Sequence, residues 1–302
     1  MHVGLMVPQG WKGEYDGWDP RAAWARSIEC AVDAERLGFE SLWVFDHFTT
    51  VPEPTDEITF ESFTMLGGMA QATQRARIGH MVVCTAFRNP ALTAKMSSTL
   101  DVMSGGRFEL GIGAGWKEDE WVAYGYDFPD IPKRLAILAD HLEVITRMFA
   151  PGHATFHGEH ASVQGAINVP KGLQVPRIPI IVGGNGRKVT FRLAARFADE
   201  LNLVFLDPAA VADALPVARQ RCEEIGRDPG SLRVSIYAPD HLFAAAGQQR
   251  VDLIGAYAAL GLDRLVAFLG RRSPELDAQA AFAEDVRAAG VVLAEAAEPV
   301  GV

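Results

Sequence analysis

Ser41-Leu-Trp-Val-Phe-Asp-His-Phe48 opens on a short apolar and aromatic run and breaks off at an acid followed by a histidine. A run too short for a helix and bounded by polar chain reads as a buried strand, Ser41 to Phe45, whose end delivers Asp46 and His47. Upstream lies a similar run, His2 to Val7. Between the two, Asp19-Pro20 supplies a helix N-cap followed by proline at the first helical position. The helix it starts is expected to bury Trp24, Ile28, Ala31 and Val32 and to end at Gly38. Strand, helix, strand is the repeating unit of a parallel sheet.

The rest of the chain repeats it. A polar loop from His47 to Glu57 leads to a helix over Phe60 to Thr73 and a third strand, Arg77 to Cys84. Asn89-Pro90 caps a helix running to about Met103, Ser104-Gly105-Gly106 turns into a fourth strand, Arg107 to Ile112, and a long helix covers Pro132 to Phe149. Residues 153–177 break the rhythm. There, Thr155 to His157 and His160 to Val163 read as a hairpin inserted before the fifth strand. Strands at Ile178 to Val182, Leu201 to Phe205, Leu232 to Ala238 and Arg264 to Leu269 complete the set. Helices are expected from Gly186 onward, from Asp207-Pro208 to near Gly226, over Gln248 to Leu260 and from about Pro274 to Ala289. Eight strand–helix repeats with none spare predict an α/β fold, a closed (β/α)8 TIM barrel forming a single domain over residues 1–302.

The chain is 49% hydrophobic and 22% charged, so a large core is affordable. A net charge of −10 argues against nucleic acid and anionic membrane as partners. No apolar run approaches the ~18 residues of a spanning helix. Met1 to Pro8 reads as a strand rather than a signal peptide, and Cys30, Cys84 and Cys222 are few and far apart. Both features point to a reduced, cytoplasmic protein.

In such a barrel the active site is built at the C-terminal strand ends. His47 is the most reactive group placed there, suited to proton transfer near neutral pH; the plainer reading is that Asp46-His47 caps its loop. Cys84, at the end of the third strand, reads as a small wall residue. Gly113-Ala114-Gly115-Trp116 lacks the third glycine of a dinucleotide fingerprint. Gly183-Gly184-Asn185-Gly186-Arg187-Lys188 lacks Walker spacing, but its small residues, a helix starting near Gly186 and the adjacent basic pair suit an anion. The alternative there is a tight turn with a solvated basic pair. His153, His157 and His160 fall on the hairpin, where alternate residues face opposite sides, so no metal site is expected.

Taken together, several segments resemble the luciferase-like monooxygenase superfamily. They are Ser41 to Phe48, Phe87-Arg-Asn-Pro-Ala91, Thr99-Leu-Asp-Val-Met-Ser-Gly-Gly-Arg107, Glu109-Leu-Gly-Ile-Gly-Ala-Gly-Trp116, Ile181-Val-Gly-Gly184 and Arg192-Leu-Ala-Ala-Arg-Phe-Ala-Asp199. The likeness runs in order from residue 1 to about 205 and loosens beyond, where the stretch between Ala238 and Gln248 looks short. Gly4-Leu-Met-Val-Pro-Gln-Gly-Trp11 and Asp46-His-Phe-Thr-Thr-Val-Pro52 resemble the actinobacterial branch dependent on coenzyme F420.

This resemblance implies a deazaflavin in the barrel mouth, with its phosphate-bearing tail toward the turn after the fifth strand. It implies a non-prolyl cis peptide at Met81-Val82, forming a bulge under one face of the ring. Carried over residue by residue, His47 is the catalytic group and Asp46 holds the cofactor. Ala114 and Gly115 make backbone contacts, and Val182, Gly183 and Gly184 meet the tail, with Asn185, Gly186 and Arg187 beside them. Sugar-phosphate dehydrogenases of the family carry a glutamate where this chain has Trp116. That substitution points away from sugar phosphates and toward an aromatic wall for a more apolar substrate. A homodimer packed through the early helices is also implied, with which Trp24 is compatible.

Three functions are therefore weighed. The leading one is F420-dependent hydride transfer to or from a small organic substrate. The others are an FMN-dependent monooxygenase and a non-catalytic flavin-binding protein. The Arg187-Lys188 pair suits either phosphate.

Overall fold

The computed structural model describes residues 1–239 and 246–294. Its main sheet runs β3 (Arg77–His80), β2 (Ser41–Val44), β1 (His2–Met6), β11 (Arg264–Ala267), β10 (Arg233–Tyr237), β9 (Glu200–Val204), β8 (Ile180–Gly183), β5 (Phe108–Gly113), β4 (Val83–Cys84). Every pairing in it is parallel, and β3 also pairs with β5, which closes the sheet. The strands β3 and β4 are two halves of one staves-position interrupted at Met81–Val82, so nine segments make eight barrel positions. The peptide between Met81 and Val82 is cis, as the resemblance implied.

Helices α1 (Pro20–Leu37), α2 (Ser62–Ala72), α3 (Pro90–Met103), α5 (Ile131–Phe149), α6 (Thr190–Phe197), α7 (Pro208–Glu223), α8 (Gln248–Ala259) and α9 (Leu276–Ala288) cover the barrel outside. The expected caps form: Asp19 accepts from the N–H of Arg21 and Ala22, Asn89 from Ala91 and Leu92, and Asp207 from Ala210. The inserted hairpin is β6 (Ala154–His157) with β7 (Ser162–Ala166), its second arm later than expected. There, His157 Nδ1 lies 2.9 Å from Ser162 Oγ.

One detail departs from the sequence reading. Val32 is exposed, because the buried stripe of α1 runs through Ala23, Ser27, Cys30, Ala31 and Ala34, and Val32 falls about 100° round from Ala31. Trp24 is engaged within the chain, against Gly68 of α2 and edge-on to Phe60. A short helix, α4 (Glu118–Ala123), follows β5. Most of the stretch between Ala238 and Gln248 lies outside the described residues.

Strand alternation sorts the barrel interior into levels. The N-terminal level is ionic: Arg264 Nη1 lies 2.8 Å from Glu109 and 3.1 Å from Glu200, and Arg77 and Arg233 reach the same carboxylates. Buried charges survive only when paired in this way. This plug leaves the C-terminal end as the open one.

Candidate active site

The strand ends enclose a cavity of about 350 Å³. Its walls divide into an open, small-residue side and an aromatic, titratable side. On the first side Val82 projects into the barrel, where Gly113 and Gly183 leave room for it. A Cβ on Gly113 would lie 2.9 Å from Val82 Cγ2, and one on Gly183 would lie 3.0 Å from Val82 Cγ1. Ala114, Gly115, Gly184 and Thr190 continue this wall.

On the other side His47 is gripped from three directions. Its ring stacks on Trp11, with centroids 4.4 Å apart and planes 6° apart. Trp116 meets it edge-on at 5.7 Å. Its Nδ1 lies 2.8 Å from Glu120 Oε2, while Glu120 Oε1 accepts the backbone N–H groups of Phe48 at 2.5 Å and Thr49 at 3.1 Å. Glu120 is buried at 1% exposure, so this carboxylate belongs to the site and not to the solvent. A carboxylate oxygen only accepts, so Nδ1 carries the hydrogen of that bond, and in the neutral ring Nε2 is then the nitrogen with the lone pair. Sequence reading had left His47 without an acidic partner once Trp116 replaced the family's glutamate; the fold brings one from α4.

Asp46 lines the cavity with both oxygens engaged. Arg88 grips it bidentately at 2.8 and 2.9 Å, Ser62 Oγ donates at 2.8 Å, and the Cys84 N–H donates at 2.9 Å. Burial alone would raise this carboxyl's pKa; the Arg88 guanidinium and the hydrogen bonds outweigh it and hold it below the usual range. Asp46 thereby ties the end of β2 to β4 and fixes the bulge. Burial pushes the neighbouring Cys84 thiol up, which suits an inert wall residue.

Of the residues expected at the cofactor, Asp46, Met81, Val82, Ala114, Gly115, Gly183 and Gly184 line the cavity, as do His47 and Trp116. Four others do not. Val182 faces outward into the layer between sheet and helices, since strand alternation gives the interior to Ile181 and Gly183. Asn185 spends its amide on Val204, donating to its carbonyl at 2.8 Å and accepting its N–H at 3.0 Å. The helix expected from Gly186 starts at Thr190, and the intervening turn carries Arg187 away to Asp213 of α7, 2.7 Å distant.

Sequence reasoning also missed Trp11, Asn202, Phe205 and Tyr237, which line the cavity too. Phe205 is, among the described residues, the one non-glycine with positive φ, at 56°, and its ring lies 4.9 Å from that of Tyr237. Two buried polar atoms on the lining residues have no protein partner, Trp11 Nε1 and Asn202 Oδ1. A flat ring system with a few polar edges fits such a cavity: apolar faces on both sides and unsatisfied donors and acceptors at the rim.

An F420-dependent glucose-6-phosphate dehydrogenase from Amycolatopsis mediterranei is 28% identical over 195 residues, covering 64% of this chain and 56% of that one. The protein of the same name from Segniliparus rotundus is 27% identical over 233 residues, covering 76% and 67%. The chain thus spans between about half and two thirds of the length of these relatives. The solved structure of an F420-dependent secondary alcohol dehydrogenase in complex with an F420–acetone adduct superposes with a TM-score of 0.79 at 19% identity, over 95% of this chain and 98% of that one. That likeness is one of fold. The model of the luciferase-like monooxygenase family matches residues 1–292, and the chain belongs to that family.

Proposed function

We propose that this protein is an oxidoreductase that moves a hydride between coenzyme F420 and a small, largely apolar organic substrate. The observation that carries this reading is the His47–Glu120 pair standing across a glycine-walled, largely apolar cavity. The F420-dependent activity named for the relatives supports the choice of cofactor. A bound deazaflavin supplies a ring carbon that gives or takes the hydride, and a carbon at that position disfavours oxygen activation.

The protein's own part is binding, orientation and proton management. Val82 and the flanking glycines of β5 and β8 give the ring a close-fitting apolar wall. Thr190 and the backbone around Gly184 stand beside it on the tail side. Glu120 holds His47 in the tautomer whose Nε2 takes a proton from a substrate hydroxyl, or returns one to a carbonyl oxygen. Trp11 fixes the imidazole plane, and Trp116 and Phe205 form an aromatic rim for an apolar substrate.

Three free, buried cysteines support a reducing, cytoplasmic setting. Among the described residues no helix is long and apolar enough to cross a membrane. Exposed Leu92, Val102 and Met103 on α3 support a homodimer packed through that face.

Titration of the purified protein with F420 and with FMN, followed by fluorescence quenching, tests the cofactor. Saturable F420 quenching with weaker FMN quenching is expected. Tight FMN binding without F420 binding would replace this reading with the monooxygenase one. Binding of both with no hydride transfer from any alcohol or to any aldehyde or ketone would leave a binding protein.

A further inference from the structure

Asn202 sits at the middle position of β9 with 0% exposure, its Cα paired in register with Gly183 on one side and Ser235 on the other. Its Nδ2 donates to Ser235 Oγ at 2.9 Å, and its Oδ1 has no partner although the residue lines the cavity. Because the Asn202 NH2 donates to the Ser235 hydroxyl oxygen, the amide turns its carbonyl oxygen the other way, where it is left as a buried acceptor without a partner beside the glycine wall.

A fully buried acceptor left empty is destabilising, a penalty removed when a ligand supplies the hydrogen. We infer that Asn202 Oδ1 is the receptor for the imide N–H of the cofactor's pyrimidinedione edge, so that the ring enters the cavity with that edge toward β8 and β9. This rests on the cofactor reading above. The ring chemistry narrows the donor: in an oxidised flavin or deazaflavin the imide nitrogen is the only ring nitrogen that carries hydrogen. The position narrows the orientation: Asn202 lies next to Gly183, on the side opposite His47 and Trp116, which leaves those two groups over the reacting part of the ring. Specificity of this kind rejects ligands lacking the hydrogen because the site's own polar atom is then stranded.

Two probes separate the possibilities: 8-hydroxy-5-deazariboflavin and its 3-methyl derivative, titrated by fluorescence quenching. Wild-type protein is expected to prefer the unmethylated probe by about tenfold or more. Asn202→Leu, of similar volume but with no acceptor, is expected to bind the unmethylated probe about tenfold more weakly while melting within a few degrees of wild type. Ser235→Ala, which frees the amide to turn, is expected to reduce the preference and covers the case in which Asn202→Leu does not fold. Equal wild-type affinity for the two probes overturns the inference and leaves the cofactor reading standing, as does full affinity in a folded Asn202→Leu. Failure of wild type to bind either probe removes both.

Discussion

Glu120 Oε2 and His47 Nδ1 stand 2.8 Å apart, joining α4 to the loop after β2 across 73 residues of sequence. The same carboxylate takes two backbone N–H groups of the His47 loop, so it sets both the tautomer of the imidazole and the path of the chain that carries it. Glu120→Gln preserves the shape but must present an NH2 either to those N–H groups or to Nδ1. Turnover with F420 and a substrate alcohol is expected to fall about 10²-fold, within the range for losing an oriented acid–base group. The F420 dissociation constant should stay within about threefold, since Glu120 supports His47 and does not shape the glycine wall. Equal loss of binding and turnover would mean that the pair is structural.

Trp116 is 62% exposed and touches His47 edge-on, so it covers the imidazole from the solvent side without being part of the core. Trp116→Ala is expected to raise KM for an apolar substrate about tenfold, about 1.4 kcal/mol of lost contact, with kcat and melting temperature little changed. Steady-state kinetics against substrates of increasing chain length would check this. A uniform effect across chain lengths would remove Trp116 from the substrate wall.

The barrel was legible because short apolar runs alternate with capped amphipathic stretches, and that rhythm depends only on local chemistry. His47 and the wall glycines were legible for a related reason, since each sits at the end of such a run, whereas the Met81–Val82 bulge came only from the family resemblance. Glu120 was not. Glu118-Asp119-Glu120 reads as an ordinary solvated acidic turn, and only the docking of α4 sends the third of these under the loop of His47. Asn202 was hidden within a strand, where one polar residue among apolar neighbours carries no sign of which way its amide faces. The direction of Arg187 was likewise not legible. A basic residue after glycines suggested an anion, but starting the helix at Thr190 changes the direction of the side chain and gives it to Asp213.

Gly113 exists for Val82. Adding a methyl at Gly113 places it 2.9 Å from Val82 Cγ2, inside contact distance and against a branched side chain with few alternative rotamers. Gly113→Ala is expected to cost about 1–3 kcal/mol of stability, the range for overpacking, and to weaken F420 binding by narrowing the cavity. Val82→Ala in the same chain should restore part of the stability. The double mutant would thus be more stable than the sum of the singles predicts, a coupling that thermal or denaturant unfolding measures directly.

Two buried histidines make the fold acid-sensitive. Burial pushes His80 down to about 3, with neither ring nitrogen bonded and the Phe63 ring tilted against it at 4.2 Å, and pushes His141 down to about 4. Both are neutral in the native chain, whereas an unfolded histidine titrates near ~6.5. As pH falls below that value the unfolded state binds protons that the native state refuses, so stability drops. Each histidine contributes up to ~1.4 kcal/mol per pH unit until its native pKa is reached. Between pH 6.5 and 5, before most carboxylates titrate, the melting temperature should decline steadily. In His80→Leu, whose side chain fits the same apolar surroundings and cannot take a proton, the decline over that interval should be about half as steep. An unchanged slope would mean that protonated His80 is accommodated, through a water or a rotamer that reaches Asp46.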